Sequence, residues 1–359
     1  MKERQIPSKF LDSIFLGDCR ELLKELPNNS VDLVISSPPY NIGKSYEKKR
    51  ALDVYLAEQA EVLRSCCRVL KPTGSIFWQI GSYVDTGVHI PLDIKVFPIL
   101  ESLGMVPRNR IIWLRTHGLH AKNRFSCRHE TLLWFTKGEQ YKYFLDPIRV
   151  PQKYPDKTSW RGRNKGDFTS HPLGKNPGDV WAFRNVKHNH EEETIHPCQF
   201  PEDLVERVVL ASSGPGDVVL DPYMGAGTVA VVAHELHRHF VGAEIDPEYH
   251  AVALHRLSGN PDSKANFPNL KTLRQYAERH EIKDLSRFSF TRQVGKIPSD
   301  STRARIFPED VHLEVFEETT KMESENSAFK RQLVDHKGRA KELPKRMRSK
   351  QLSIWGDKS

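Results

Sequence analysis

The sequence predicts an α/β fold, built as a mixed, mostly parallel sheet with helices on both faces. Three observations predict it. Short apolar runs such as Val31-Asp32-Leu33-Val34-Ile35 and Asp217-Val218-Val219-Leu220 alternate with stretches of helical apolar spacing. Two of these runs end in unusual loops, Ser36-Ser37-Pro38-Pro39-Tyr40 and Asp221-Pro222-Tyr223-Met224-Gly225-Ala226-Gly227-Thr228. The second loop leads directly into an apolar helix, the strand–turn–helix order of a nucleotide-type βαβ unit.

Taken in order, residues 13–18 read as a strand ending in Gly17-Asp18, and residues 19–26 have helical spacing closed by Pro27-Asn28-Asn29. Residues 31–35 are the next strand. Pro38 and Pro39 end it because neither has an N–H for the ladder, and each holds its predecessor extended. Residues 41–50 read as a mobile loop. A helix over 54–70 stops at Lys71-Pro72-Thr73-Gly74, and a strand over 75–80 follows, with Gly81-Ser82 at its end. Residues 94–103 are helical up to Gly104, and 111–114 and 131–135 are strands. After an irregular stretch, a helix over 201–212 opens with Pro201-Glu202-Asp203. A buried strand follows at 217–222, a helix at 229–236, a strand at 239–244 ending in an acid, and a helix capped by Asp246-Pro247 through 257.

The chain has 359 residues, with 54 Lys and Arg against 46 Asp and Glu. A basic surplus suits a polyanionic partner once the charge is located. Between 151 and 190 stand eight Lys or Arg against three Asp, interleaved with Tyr154, Trp160, Phe168, Trp181 and Phe183. Cations mixed with flat rings serve phosphate contacts and base stacking, and Lys153, Trp160, Arg161, Arg163 and Lys165 are the candidates. A solvated loop with a few anchoring rings would read the same. Residues 261–359 carry 21 Lys or Arg against 15 Asp or Glu, with helical stretches expected at 273–285 and 311–319. This basic extension suits either a disordered tail or a DNA grip.

Five cysteines at irregular spacing make no disulfide framework, and neither a signal core nor a membrane-length apolar run is present. The expectation is a cytoplasmic protein of prokaryotic or phage type, working on nucleoid DNA. His188, His190, His196 and Cys198 match no zinc-finger spacing, so no metal is expected. Cys66 and Cys67 read as core packing, and His234, His237 and His239 as surface groups.

The two loops carry the chemistry. Bare carbonyls, the Ser37 hydroxyl and the Tyr40 ring suit a flat heterocycle with an exocyclic amine, although a proline-terminated strand with a surface tyrosine has the same sequence. Gly225 and Gly227 let backbone approach a ligand, and Glu244 stands where an acid can take ribose hydroxyls. No Lys follows Gly227, which excludes a P-loop.

Together these segments resemble the beta class of amino DNA methyltransferases. Asp221 to Thr228 is similar to the S-adenosylmethionine motif of that family, and Ser37-Pro38-Pro39-Tyr40 resembles its catalytic motif in the N4-cytosine form. The catalytic motif comes first, as in the permuted order of the class. Gly17-Asp18-Cys19, the segment 124–130 and His196-Pro197-Cys198-Gln199-Phe200-Pro201-Glu202 also resemble family segments, so the likeness covers roughly residues 11–257.

The resemblance implies a Rossmann-like, S-adenosylmethionine-dependent fold. It would comprise a catalytic half over 1–140, a target-recognition region over 141–195, a cofactor-binding half over 196–260 and the basic extension. Ser37, Pro38, Pro39 and Tyr40 would be catalytic. Asp18 would accept from the cofactor's adenine amine, and Glu244 would take its ribose. Phe200, Asp221, Pro222, Tyr223, Gly225, Gly227 and Thr228 would hold the rest. The substrate would be a cytosine flipped from duplex DNA, methylated at N4 and stacked on Tyr40. A cognate restriction endonuclease would act separately. Adenine N6, an RNA substrate or a non-catalytic DNA-binding relative are the alternatives. The Tyr223, Met224 and Ser36 variants remove no group the chemistry needs.

Overall fold

A computed structural model of the chain describes residues 5–44, 47–115, 120–151, 174–186 and 192–258. Between these blocks it also describes residues 154, 157–163, 165, 171 and 190. Lys153, Phe168, His188, and the expected helices at 273–285 and 311–319 lie outside the described residues.

The strands are β1 (Ser13–Leu16), β2 (Val31–Ser36), β3 (Leu70–Ile80), β4 (Ser82–Asp85), β5 (Val88–Pro91), β6 (Val106–Leu114), β7 (His129–Thr136), β8 (Val180–Ala182), β9 (Val218–Asp221) and β10 (His239–Glu244). The helices are α1 (Cys19–Glu25), α2 (Leu52–Val69), α3 (Leu92–Ser102), α4 (Glu202–Ser212), α5 (Thr228–Glu235) and α6 (Pro247–Ser258). Eight strands form one sheet in the order β1-β10-β9-β2-β3-β7-β6-β8, and β4 and β5 form a separate hairpin. Within the main sheet every neighbouring pair is parallel except the two that β7 makes.

The topology creates a switch point. From β9 the chain moves outward through β10, and from β2 it moves the other way through β3. β2 and β9 are direct neighbours, with Leu33 opposite Val219 and Val34 opposite Leu220. Their C-terminal ends therefore open side by side, the place where open α/β sheets bind ligands. Two motifs 185 residues apart in sequence become adjacent at this edge.

Both faces of the sheet are covered. α1, α2 and α3 bury Leu22, Leu23, Leu63, Val96 and Leu100 against Val34, Ile76 and Trp78. α4, α5 and α6 bury Leu204, Val208, Val229 and Ala253 against Leu33, Ile35 and Phe77 on the other face. Val34 and its neighbours Leu33 and Ile35 thus point to opposite sides, as strand alternation requires. A strand buried on both faces reads as a continuous apolar run, which is what β2 shows. The one charge within it, Asp32, is 2% exposed and answered from three directions. Lys71 Nζ lies at 2.8 Å, Lys142 Nζ at 2.9 Å, and Val218 N donates at 3.0 Å, tying β2, β3 and β9 at the end remote from Ser36.

The structure revises several boundaries. The stop at Lys71-Pro72-Thr73-Gly74 does end α2, but β3 begins at Leu70 and runs through it, with a register shift opposite Asp32. Pro72 has no N–H to continue a regular ladder, which accounts for the irregularity. The stretch expected to be a mobile loop is tied down where it is described. Glu47 accepts from Asn41 N and Ile42 N at 2.7 and 2.8 Å, and the Asn41 side chain bonds to the backbone of Arg50.

Trp181 and Phe183, grouped by sequence with exposed rings, are a correction. Both are buried, because β8 pairs with β6 and turns them into the core beside Trp113. Cys66 and Cys67 are buried in the core, and His234 and His237 are exposed. Among the described residues, no helix is long and apolar enough to cross a membrane.

Candidate active site

A cavity of about 630 Å³ opens along the switch-point edge. In sheet order its floor receives Asp18 after β1, Glu244 at the end of β10, Tyr223 after β9, Ser37 after β2 and Gln79 near the end of β3. Pro38, Pro39, Tyr40, Phe200, Pro222, Gly225 and Thr228 complete the expected residues that line it. Asp221 and Gly227 sit immediately behind the wall.

The two loops are joined by a direct bond. Ser36 Oγ donates to Asp221 Oδ1 at 2.5 Å in a fully buried setting. Asp221 Oδ1 also accepts from Tyr223 N at 3.0 Å, while Oδ2 is buried with no partner among the described residues. Burial pushes the Asp221 carboxyl up to about 7, opposed by the Ser36 and Tyr223 bonds. A buried acceptor left open beside a cavity is suited to a ligand donor.

On the β2 side of the cavity, the proline loop is held by Tyr55, whose hydroxyl donates to Pro39 O at 2.8 Å. Gln79 organises what faces the cavity. Its Nε2 donates to the Glu130 carboxylate, which pairs with Arg115 at 2.7 Å. A carboxylate only accepts, so the amide must turn its oxygen the other way. That Oε1 accepts from Ser37 Oγ at 2.5 Å and from Tyr40 OH at 2.7 Å. Tyr40 OH also reaches Glu130 at 3.0 Å. With its hydrogen committed to Gln79, the Ser37 oxygen keeps its lone pairs for an incoming N–H. Burial and the Glu130 charge raise the Tyr40 phenol well above its ordinary value, so it stays protonated.

On the β9 side of the cavity, Gly225 and Gly227 have φ of +55° and +79°, which L residues rarely adopt. A Cβ on Gly227 would lie 2.7 Å from the Ala253 side chain, so the turn also packs where only glycine fits. Glu244 Oε2 accepts from Gly225 N at 2.7 Å and Oε1 from Asp246 N at 2.9 Å, fixing the turn to β10. Burial raises the Glu244 carboxyl. Asp18 caps α1 through Arg20 N, and the Arg20 guanidinium holds its carboxyl below the ordinary range. His196 faces Gly225, and burial pushes it down to about 4, so it is a neutral ring in the wall.

Of the expected DNA-contacting residues, Trp160, Arg161, Arg163 and Lys165 are exposed and do not line the cavity. Trp160 is 72% exposed, with the Arg161 guanidinium 4.0 Å from its ring centre. Gln79, Glu130 and Arg115 were missed by sequence reasoning. The available signal was a lone glutamine in the otherwise apolar Ile76-Phe77-Trp78-Gln79-Ile80. Among the described residues, no group of three or more His, Cys, Asp or Glu is placed to hold a metal.

A mostly parallel sheet with a glycine-turn cradle beside a proline-ended strand, all opening on one cavity, defines a Rossmann-like methyltransferase fold. The fold is shared with the PvuII DNA methyltransferase (cytosine-N4-specific), at a TM-score of 0.59 and 22% identity, covering 74% of this chain and 91% of that one. The chain matches the N6/N4 DNA methylase family over residues 31–255 and belongs to it. It is 57% identical to the type II methyltransferase M.BglII of Bacillus subtilis over 90% of both chains. It is 35% identical to the DNA adenine methyltransferase YhdJ of Escherichia coli K12, over 68% of this chain and 82% of that one. The protein is accordingly a DNA methyltransferase that uses S-adenosylmethionine. The open Asp221 oxygen and the glycine cradle at Gly225 and Gly227 fit that cofactor.

Proposed function

We propose that the protein methylates the exocyclic N4 of cytosine in duplex DNA, as the modification enzyme of a type II restriction-modification system. A separate endonuclease would share its recognition sequence, and the setting would be the prokaryotic cytoplasm. The observation that carries the reading is the Ser36–Asp221 bond, which couples the loop that holds the base to the turn that holds the cofactor. The cofactor supplies an electrophilic methyl group. Asp18, Glu244 and the turn from Asp221 to Thr228 grip it, with Phe200 in the wall.

The target amine is a poor nucleophile because its lone pair is delocalised into the ring. The Ser37 oxygen and the Pro38 carbonyl accept its two N–H groups, favour a tetrahedral nitrogen and free that lone pair. Neither acceptor needs to be a strong base. Pro39 keeps the loop stiff, Tyr40 stacks on the turned-out base, and positioning supplies much of the rate. Cytosine is favoured because Ser37 stands where the adenine branch of the family usually carries Asp. Residues 141–195, through exposed groups such as Trp160, Arg161, Arg163 and Lys165, are proposed to read the sequence, and Lys153 belongs to the same set.

Adenine N6 is the second reading, since YhdJ is named an adenine enzyme and the same acceptor pair suits an adenine amine. Nucleoside analysis of unmethylated genomic DNA treated with the protein and labelled S-adenosylmethionine separates the two. N4-methylcytosine is expected. N6-methyladenine would overturn the choice of base, and label in RNA alone would overturn the substrate.

A further inference from the structure

Phe125 is 100% exposed, while the sheet and helices bury nearly every other large apolar ring near the cavity. It stands between Arg124 and Cys127, both of which line the cavity, so its loop forms part of the rim. The loop is pinned on either side of the ring. Ser126 Oγ accepts from Ala121 N at 3.0 Å, and Cys127 Sγ lies 3.6 Å from Ser82 Oγ. Arg115 N donates to Arg128 O at 2.8 Å, tying the loop to the end of β6. Five residues on, Glu130 accepts the Tyr40 hydroxyl, which connects this rim to the base-holding loop. Lys122 and Arg124 are exposed on the same segment.

A pinned apolar ring, held out among cations at the mouth of a cavity, has the chemistry of a base-stack wedge. Cations anchor phosphates, and an apolar ring slides between base steps that it unstacks. A base turned into the cavity leaves a gap in the duplex, and a flat ring filling that gap recovers stacking.

We propose that Phe125 enters the DNA base stack at the position vacated by the target base, with double-stranded DNA as its ligand. The inference rests on the methyl-transfer function proposed above. Phe125 acts on the duplex and not on the methyl group, so its contribution falls when the target base has no pairing partner and leaves the stack more easily.

The test uses a duplex carrying the site that the wild-type protein modifies in plasmid DNA, mapped by sequencing. A second duplex is identical except for an abasic position opposite the target. On the paired duplex Phe125→Ala is expected to lower kcat/KM by roughly 10- to 100-fold, the range that one stacked base supplies. On the abasic duplex the loss is expected to be clearly smaller, because the pairing cost is gone, and Phe125→Tyr is expected to retain activity on both. Melting temperature and cofactor affinity should not move, since the ring is fully exposed. An equal loss on both duplexes, or no loss on the paired one, overturns the proposal. A wild-type protein that modifies no DNA overturns the function beneath it, and the wedge with it.

Discussion

Ser36 and Asp221, 185 residues apart, share a buried hydrogen bond of 2.5 Å that ties the end of β2 to the turn after β9. The second Asp221 oxygen has no partner among the described residues, and burial lifts the carboxyl to about 7. An unfolded Asp titrates near 4, so the folded value is raised. The stability linked to this group is therefore full below about pH 4 and lost as pH rises through 7. Thermal melts without cofactor should show wild type falling relative to Asp221→Asn between those values. Parallel curves would contradict the assignment. Cofactor affinity should drop in the Asn variant.

Gln79 is expected to act through Ser37. In Gln79→Met the Ser37 hydrogen loses its acceptor and the oxygen no longer presents fixed lone pairs to the cavity. Losing one or two such bonds, at about 1–1.5 kcal/mol each, should lower kcat by roughly 10- to 100-fold. Cofactor affinity should be unchanged, because Gln79 lies on the other side of the switch point. In a Ser37→Ala background the same substitution should cost little more, which a double-mutant cycle measures. Additive losses would show that Gln79 serves packing instead.

Gly81 makes room for Tyr40. A Cβ there would lie 2.8 Å from Tyr40 Cε2, closer than real contacts allow. Gly81→Ala should displace the ring from Gln79 and Glu130 and reduce kcat by about tenfold, the worth of one lost hydrogen bond. Cofactor binding, measured by calorimetry, should be retained. Full activity would mean that the ring position is not required.

The fold was legible where one physical signal dominates. β2, β9 and β10 are apolar because both faces are covered, and the loops after β2 and β9 carry Pro-Pro and Gly-x-Gly respectively. β8 was not legible. It is three residues long and pairs with β6, with β7 intervening in the chain, so Trp181 looked like a surface ring. The β4–β5 hairpin has a half-exposed pattern without clean alternation. At the candidate site, Ser37, Tyr40 and Asp221 stand in motifs that are visible in the sequence. Gln79 and Glu130 did not, since their role exists only once β3 and β7 pair and bring them into reach of Ser37 and Tyr40.

The central claim is that the Ser37-to-Tyr40 loop holds the target amine for transfer. Its most direct test is single-turnover methyl transfer at saturating DNA and S-adenosylmethionine, comparing wild type with Ser37→Ala and Tyr40→Ala. Positioning interactions of this kind are worth about 10²-fold or more, so both variants should bind cofactor normally and transfer methyl at least about 100 times more slowly. Transfer at the wild-type rate in either variant would contradict the account.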